Sequence, residues 1–144
     1  MNDPIRLAVR ASTEALFLWR PGAPLVWNDR LESVFGARPE EVSTIDELFA
    51  RVHHADRGRT RGEVMALLDS ATQVELETEF RFKRPEDGHA IVLMRAVVDR
   101  GDDGQVSHLT GALRDVTAIR AAVNALGDAH ELLERIQVLE SAAR

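Results

Sequence analysis

Short apolar runs separated by turn residues open the chain. Residues 5–14 have a weak helical pattern, which predicts a helix ahead of the first run. Residues 16–19 and 25–27 are apolar and flank a Pro-Gly segment, a pattern typical of a β-hairpin. The second run leads into Asn28 and Asp29, which are good N-cap residues for a brief helix.

Apolar residues at helical spacing occupy the next part of the chain. Thr44 and Glu47 fit a capping box at the start of one helix. Asp56 is a suitable N-cap for the helix after it. This region therefore predicts three or four short helices, each with one apolar face turned toward a common core.

A period of two then replaces the helical spacing. Residues 73–83 alternate polar and apolar side chains, which predicts a strand with one buried face. Residues 90–98 are apolar at nearly every position, so we expect a strand covered on both faces or an inner strand. Residues 106–116 form a third predicted strand, and the glycine-containing turns between the three strands indicate an antiparallel meander.

The final segment is predicted to be one long helix. Apolar residues recur at heptad spacing on one side of it, which predicts a parallel coiled coil between two copies of the chain. The predicted dimer positions are Ile119, Ala122, Leu126, Ala129, Leu133 and Ile136. Several of them are alanine, which makes a weak seam, and a helix that folds back over its own sheet is the alternative.

The order of elements predicts an α+β fold built on one five-stranded antiparallel sheet with short helices over one face. We divide the chain into an N-terminal flanking helix (1–14), a core (15–117) and a C-terminal helix (118–144). The length of 144 residues suits one core that needs no disulfide or metal to fold.

Charge and composition exclude several classes of function. With 24 acidic and 18 basic side chains the net charge is −6, which argues against nucleic acid as a partner. The chain has no cysteine, so disulfides, Cys-ligated metals and cysteine nucleophiles are excluded. No apolar segment approaches the ~20 residues that span a bilayer, and the N-terminus lacks a signal-peptide pattern. We expect a cytoplasmic protein without membrane insertion.

Four segments in a fixed order carry a family resemblance. They are Trp19 with Leu-Val-Trp-Asn at 25–28, Val-His-His-Ala-Asp-Arg at 52–57, Glu-Phe-Arg-Phe-Lys-Arg at 79–84 with Asp-Gly at 87–88, and Gly104, Gly111 and Ala-Leu-Arg-Asp-Val-Thr at 112–117. Together they resemble the PAS domain, a sensor module of signalling proteins, over residues 16–120. Two departures are Ala55, where the family usually has proline, and residues 91–93, which are aliphatic where members often carry tryptophan.

The resemblance implies a sheet and helices that enclose a small cavity. The side chains expected to line it are Phe17, Trp19, Trp27, Phe35, Val64, Leu68, Phe80, Leu93 and Leu109. Family members pass a signal to a neighbouring domain through a C-terminal helix. Asp115, Val116 and Thr117, at the junction of the last strand and this helix, are the expected relay. The simpler interpretation is an ordinary helix cap at Thr117.

The cofactor stays unknown at this stage. A flavin photosensor of the cysteine-adduct type is excluded because there is no thiol, whereas non-covalent flavin binding stays open. Haem needs an axial ligand such as histidine, and residues 56–70 contain none. His53, His54 and Asp56 are the closest group of metal-ligating types, but adjacent side chains diverge, so we expect no metal site.

The resemblance implies a sensory module of a bacterial signalling protein. It would relay the binding of a ligand or partner to an output domain such as a histidine kinase or diguanylate cyclase. The alternative is a ligand-free PAS domain that serves only for dimerisation or protein docking. A small cavity enzyme using a buried Asp and His is a third class, but no nucleophile–base pair stands out and no phosphate-binding loop occurs. The expected partners are a second copy, a downstream signalling protein and a small-molecule ligand.

Overall fold

The computed structural model of the chain describes Pro4, residues 12–86 and residues 88–142. Most of the predicted flanking helix over residues 1–14 lies outside the described residues. The strands are β1 (Ala15–Trp19), β2 (Val26–Trp27), β3 (Glu75–Lys83), β4 (His89–Arg100) and β5 (Val106–Asp115). The helices are α1 (Arg30–Phe35), a 3₁₀ turn (Pro39–Glu41), α2 (Ile45–Arg51), α3 (His54–Asp69) and α4 (Thr117–Ala142).

The five strands form one sheet in the order β2-β1-β5-β4-β3, and every neighbouring pair is antiparallel. The first hairpin therefore joins the later meander through the β1–β5 pair. This arrangement confirms the predicted α+β class with a five-stranded antiparallel sheet. Within the described part of the chain, no helix is long and apolar enough to cross a membrane.

Strand β4 shows that the helices cover one face of the sheet. Its buried residues alternate strictly, and they are Ala90, Val92, Met94, Ala96 and Val98. Of the two alternatives expected for this strand, the structure confirms the inner strand, since β4 lies between β5 and β3, and not the strand covered on both faces. Leu93 is half-buried on the outer face of the sheet, opposite the helices, because successive side chains of a strand point to opposite faces and the buried residues are its neighbours Val92 and Met94. Its predicted place in the cavity lining is corrected accordingly.

Local capping starts the two central helices in different ways. At α2, the Thr44 hydroxyl accepts the backbone N–H of Glu47 at 3.0 Å, as the capping-box pattern predicts. The Glu47 carboxylate accepts from the Ser43 hydroxyl at 2.8 Å. At α3, His53 takes the N-cap position expected for Asp56, and its Nδ1 accepts the N–H of Ala55 at 3.0 Å. That prediction was wrong because α3 begins three residues earlier, at His54 instead of Arg57.

Groups at the start of α3 bind the free edge of β3, which we call the β3 edge (the backbone carbonyl of Glu79 and both backbone groups of Arg81). The Asp56 carboxylate accepts from the Arg81 backbone N–H at 2.9 Å and from its guanidinium. The backbone N–H of His53 donates to the Arg81 carbonyl at 2.8 Å. Arg59 donates to the Glu79 carbonyl at 2.6 Å. Helix α3 is thereby fixed along an edge strand that would otherwise expose these groups.

Candidate functional site: the interior and the strand–helix junction

The space between the helices and the sheet is almost filled by side chains. A cavity of about 10 Å³ remains there. Its lining residues are Phe17, Ile45, Leu48, Phe49, Val64, Met94, Ala96 and Leu109. A cavity of this volume holds about one water molecule. In this conformation the interior enclosed by the described residues has no space for a ring-sized ligand.

The structure distributes the predicted lining residues over four places. Phe17, Val64 and Leu109 reach the cavity. Phe35 and Phe80 are buried elsewhere in the same core, whereas Trp19, Trp27 and Leu68 are half-buried against it and Leu93 lies on the outer face. Sequence reasoning left out Ile45, Leu48 and Phe49 as lining residues. Their helical spacing behind Thr44 was the available signal, since it turns all three toward the sheet.

Phe17 fills the interior because the residue facing it is glycine. Phe17 on β1 pairs with Gly111 on β5. A Cβ on Gly111 would lie 2.1 Å from Cε1 of the Phe17 ring, so the ring occupies the place of a side chain. The ring also contacts Trp27, with centroids 5.1 Å apart. The indole N–H of Trp27 donates to the Val42 carbonyl at 2.7 Å, which anchors this group at the β2 side of the core.

Three histidines meet at the start of α3. The His53 ring stacks on His54 with centroids 4.3 Å apart and contacts the edge of His89 at 4.8 Å. Burial lowers the pKa of His53, and the positive charge of Arg81 lowers it further. Its neutral Nδ1 is the acceptor that caps the helix. Among the described residues no group of three or more metal-ligating side chains has a geometry that holds a metal ion.

Asp115 organises the junction between β5 and α4. Its Oδ1 accepts from the Thr117 backbone N–H at 2.9 Å and from the Thr117 hydroxyl at 2.6 Å. Its Oδ2 accepts from Arg84, in the β3–β4 turn, at 2.8 Å. The Thr117 hydroxyl in turn accepts from the Ile91 N–H on β4 at 2.9 Å. Asp115, not Thr117, therefore caps the first turn of α4, and Thr117 links that cap to the sheet.

Val116 and Arg120 complete the attachment of α4. Val116 is 4% exposed, and its N–H donates to the Ile91 carbonyl at 2.8 Å. The Arg120 guanidinium donates to both carboxylate oxygens of Glu79 on β3, with Nε at 2.8 and 3.0 Å. These hydrogen bonds raise the pKa of Arg120. The sequence analysis missed this pair because its members are 41 residues apart and only the sheet order brings them together.

Beyond Arg120, every described residue of α4 is exposed. The helix does not fold back over the sheet in this structure. The predicted dimer positions lie along it, and the exposed fraction is 71% for Leu126 and 59% for Leu133. An apolar stripe of this length without cover is typical of a surface that binds another helix.

A comparison with family models decides the family. The model described as PAS fold matches residues 24–113. The chain belongs to the PAS family. A comparison with curated proteins found no match.

Solved structures share the architecture of this PAS domain. A sensory box histidine kinase/response regulator from Burkholderia thailandensis is 21% identical with a TM-score of 0.70, and the match covers 92% of this chain and 99% of that one. The N-terminal domain of a diguanylate cyclase with a PAS/PAC sensor from Marinobacter aquaeolei is 15% identical with a TM-score of 0.68, covering 74% and 98%. An RNA-binding light-oxygen-voltage receptor is 21% identical with a TM-score of 0.60, covering 81% and 35%. At these identities the likeness shows the fold.

The cofactors considered from the sequence do not fit the interior of this PAS domain as folded. Flavin and haem are both far larger than a cavity of about 10 Å³. The residues that line the cavity are all apolar, so it also lacks an imidazole that would bind haem iron. A cofactor would have to displace Phe17 or separate the helices from the sheet.

Proposed function

We propose that this chain is a cytoplasmic signal-transduction module, in which residues 15–117 are the sensor core and residues 118–144 the signalling helix. Binding of a partner or ligand at the core changes the start of α4, and α4 carries the change to an output domain such as a histidine kinase or diguanylate cyclase. One observation supports this most directly. The first turn of α4 is hydrogen-bonded to the core at several points, while the rest of the helix exposes an apolar stripe.

The attachment gives the sheet a direct effect on the helix. Three groups of the core bind the β5–α4 junction. The Ile91 N–H on β4 binds Thr117, Glu79 on β3 binds Arg120, and Arg84 in the β3–β4 turn binds Asp115. A relative movement of β3 and β4 therefore changes the hydrogen bonds of Thr117 and Arg120. A ligand or partner can shift the helix only by its differential affinity for the two arrangements.

A ligand-free module for dimerisation and docking is the second candidate. The cavity of about 10 Å³ favours it, because no stored ligand is needed to fill the core. Native mass spectrometry of the purified chain distinguishes a small-molecule ligand from a protein partner as the signal that the core receives. A mass equal to that of the polypeptide supports a protein partner as the input, and a retained small molecule supports a ligand.

The relay is tested by perturbing the core and observing the helix. Met94→Leu is a volume-conserving change beside the cavity on β4, and it is expected to shift the amide resonances of the first two turns of α4. In the Asp115→Ala background the same change is expected to leave those resonances in place. Asp103→Ala is the matched control, since the Asp103 carboxylate caps the β4–β5 turn by accepting from Gln105 N–H at 3.0 Å, away from α4.

The two possible failures have different meanings. If Met94→Leu still shifts the α4 resonances after Asp115→Ala, the relay does not pass through Asp115. If Met94→Leu never shifts them in the otherwise unchanged chain, the core does not influence the helix, and the docking function is the better one. Because a helix cap and a partly exposed ion pair each contribute about 1 kcal/mol, Asp115→Ala should leave the core folded.

A further inference from the structure

Helix α4 contains a second apolar stripe that overlaps the predicted one. Its positions alternate in steps of four and three, and they are Ala118, Ala122, Ala125, Ala129, Leu132, Ile136 and Leu139. Both stripes include Ala122, Ala129 and Ile136. The predicted stripe reaches Glu140 at its next heptad position, whereas the second stripe continues to Leu139 without a polar residue.

We infer that two copies of this chain pair through the second stripe as a parallel two-stranded coiled coil, with Arg135 paired to Glu140 of the partner subunit. This inference rests on the proposed function, in which α4 is the signalling helix and exposes an apolar stripe. It replaces the seam that the sequence analysis selected, because that seam would bury the Glu140 carboxylate in an apolar interface.

The identities of the core residues favour two strands in the second stripe. There Ile136 occupies an a position, and Leu132 and Leu139 occupy d positions. A β-branched residue at a with leucine at d favours a parallel dimer. The predicted stripe reverses this assignment, with Leu126 and Leu133 at a and isoleucine at d, which shifts the preference toward trimers or tetramers.

Charges on the helix agree with the same register. In the second stripe Arg135 is a g residue and Glu140 is the following e residue, which face each other across a parallel pair. Within one chain, His130 and Glu134 lie 3.0 Å apart at b and f positions on the side away from this seam. An ion pair between subunits therefore flanks the apolar core, and the His130–Glu134 contact within each subunit lies on the outside.

The attachment of the core to α4 fits this register as well. Arg120, which binds Glu79 on β3, falls at an f position of the second stripe, the position most distant from the seam. The core of each subunit is then held on the outer side of its helix. Two cores can lie beside one coiled coil without occupying the seam.

Single cysteines map the seam, and the chain has no native cysteine to interfere. Leu132→Cys and Leu139→Cys report the second stripe, and Leu126→Cys and Leu133→Cys report the predicted one. Val138→Cys is the control, since Val138 is 68% exposed and lies outside both stripes. Under mild oxidation of the full chain, we expect disulfide-linked dimers to form at least about tenfold faster at 132 and 139 than at 138.

The results separate this inference from the proposed function. Faster cross-linking at 126 and 133 than at 132 and 139 overturns the second seam and keeps a dimer helix. Cross-linking at the rate of the control throughout, together with a monomeric mass by light scattering, overturns the dimer helix, whereas the relay from the core to α4 is tested separately by Met94→Leu.

Charge reversal tests the parallel pairing independently. Arg135→Glu and Glu140→Arg are each expected to raise the dimer dissociation constant about three- to tenfold, since each creates two like-charge contacts per dimer. The double reversal is expected to return it to within about twofold of the original. A double variant that dimerises no better than the single variants overturns the pairing of these two residues.

Discussion

Replacing Gly111 with alanine would place a methyl group within the ring of Phe17. The new Cβ would lie 2.1 Å from Cε1 and 2.2 Å from Cζ, so the ring or strand β5 has to move. Gly111 does not have a positive φ, and the cost therefore comes from the collision alone. Phe17 is only 3% exposed, which leaves its ring no solvent to move into.

The expected loss of unfolding free energy follows from these contacts. Overpacking a well-packed core costs about 1–3 kcal/mol, and the short distances place this substitution near the upper end. Replacing glycine by alanine in a strand returns about 0.5–1 kcal/mol through backbone entropy. We therefore expect Gly111→Ala to destabilise the fold by about 2 kcal/mol, measured by urea unfolding monitored by tryptophan fluorescence.

A second substitution tests whether the collision with the Phe17 ring causes the destabilisation. Phe17→Leu alone should destabilise the core, because it removes buried ring atoms. In the Gly111→Ala background, Phe17→Leu should lower the free energy of unfolding much less, which corresponds to a coupling of about 1–3 kcal/mol between the two sites. Gly62→Ala is the control, because a Cβ there meets nothing within 4 Å, and it should stabilise α3 by up to ~1 kcal/mol. Strictly additive losses at Phe17 and Gly111 would refute the collision.

Two further predictions concern contacts at the ends of the helices. Because burial and Arg81 lower the pKa of His53 below its ordinary value of about 6.5, the unfolded chain takes up this proton first as the pH falls. The stabilisation that neutral His53 gives the fold is therefore complete above about pH 6.5 and is lost as the pH falls below that value. The urea midpoint of unfolding should show this pH dependence. It should be flatter in His53→Asn and unchanged in the control His130→Asn. An unchanged pH dependence in His53→Asn would count against the role of the cap. Glu79→Gln and Arg120→Gln should each speed amide hydrogen exchange in the first turn of α4, and the double variant should speed it no more than either single variant. Each change should lower the free energy of unfolding of the core by less than about 1 kcal/mol. Additive effects of the two changes on exchange would show that the residues do not act as a pair.

The sequence predicts those parts of the fold that depend on neighbouring residues. The alternation in β3 and the Thr44–Glu47 cap are both set within one element, and the structure confirms the strand and the forward half of the cap. For β4 only one of the two expected alternatives is correct: it is an inner strand, but its outer face is not covered. Ile91 and Leu93 are apolar on the outer face, so composition alone suggested two covered faces where only one is buried.

The candidate site depends on contacts that no local pattern contains. The Arg84–Asp115 pair joins residues 31 apart, and it exists because the β3–β4 turn lies beside the end of β5. The small volume of the cavity depends on the β1–β5 register, which places Phe17 opposite a glycine. Neither the strand register nor the strand order follows from the periodicity of the sequence. A family resemblance supplies the strand order, but it does not say which side chain fills the interior.

The satisfied β3 edge bears on how these molecules behave in concentrated solution. A bare edge strand is a template on which another chain can extend the sheet, and short or covered edges prevent this. Here one edge strand, β2, has two residues, and the other has its carbonyl and amide groups at Arg81 occupied by His53 and Asp56. The segment that starts α3 thus also discourages aggregation through the sheet: His53 caps the helix with its side chain and binds the strand edge with its backbone N–H.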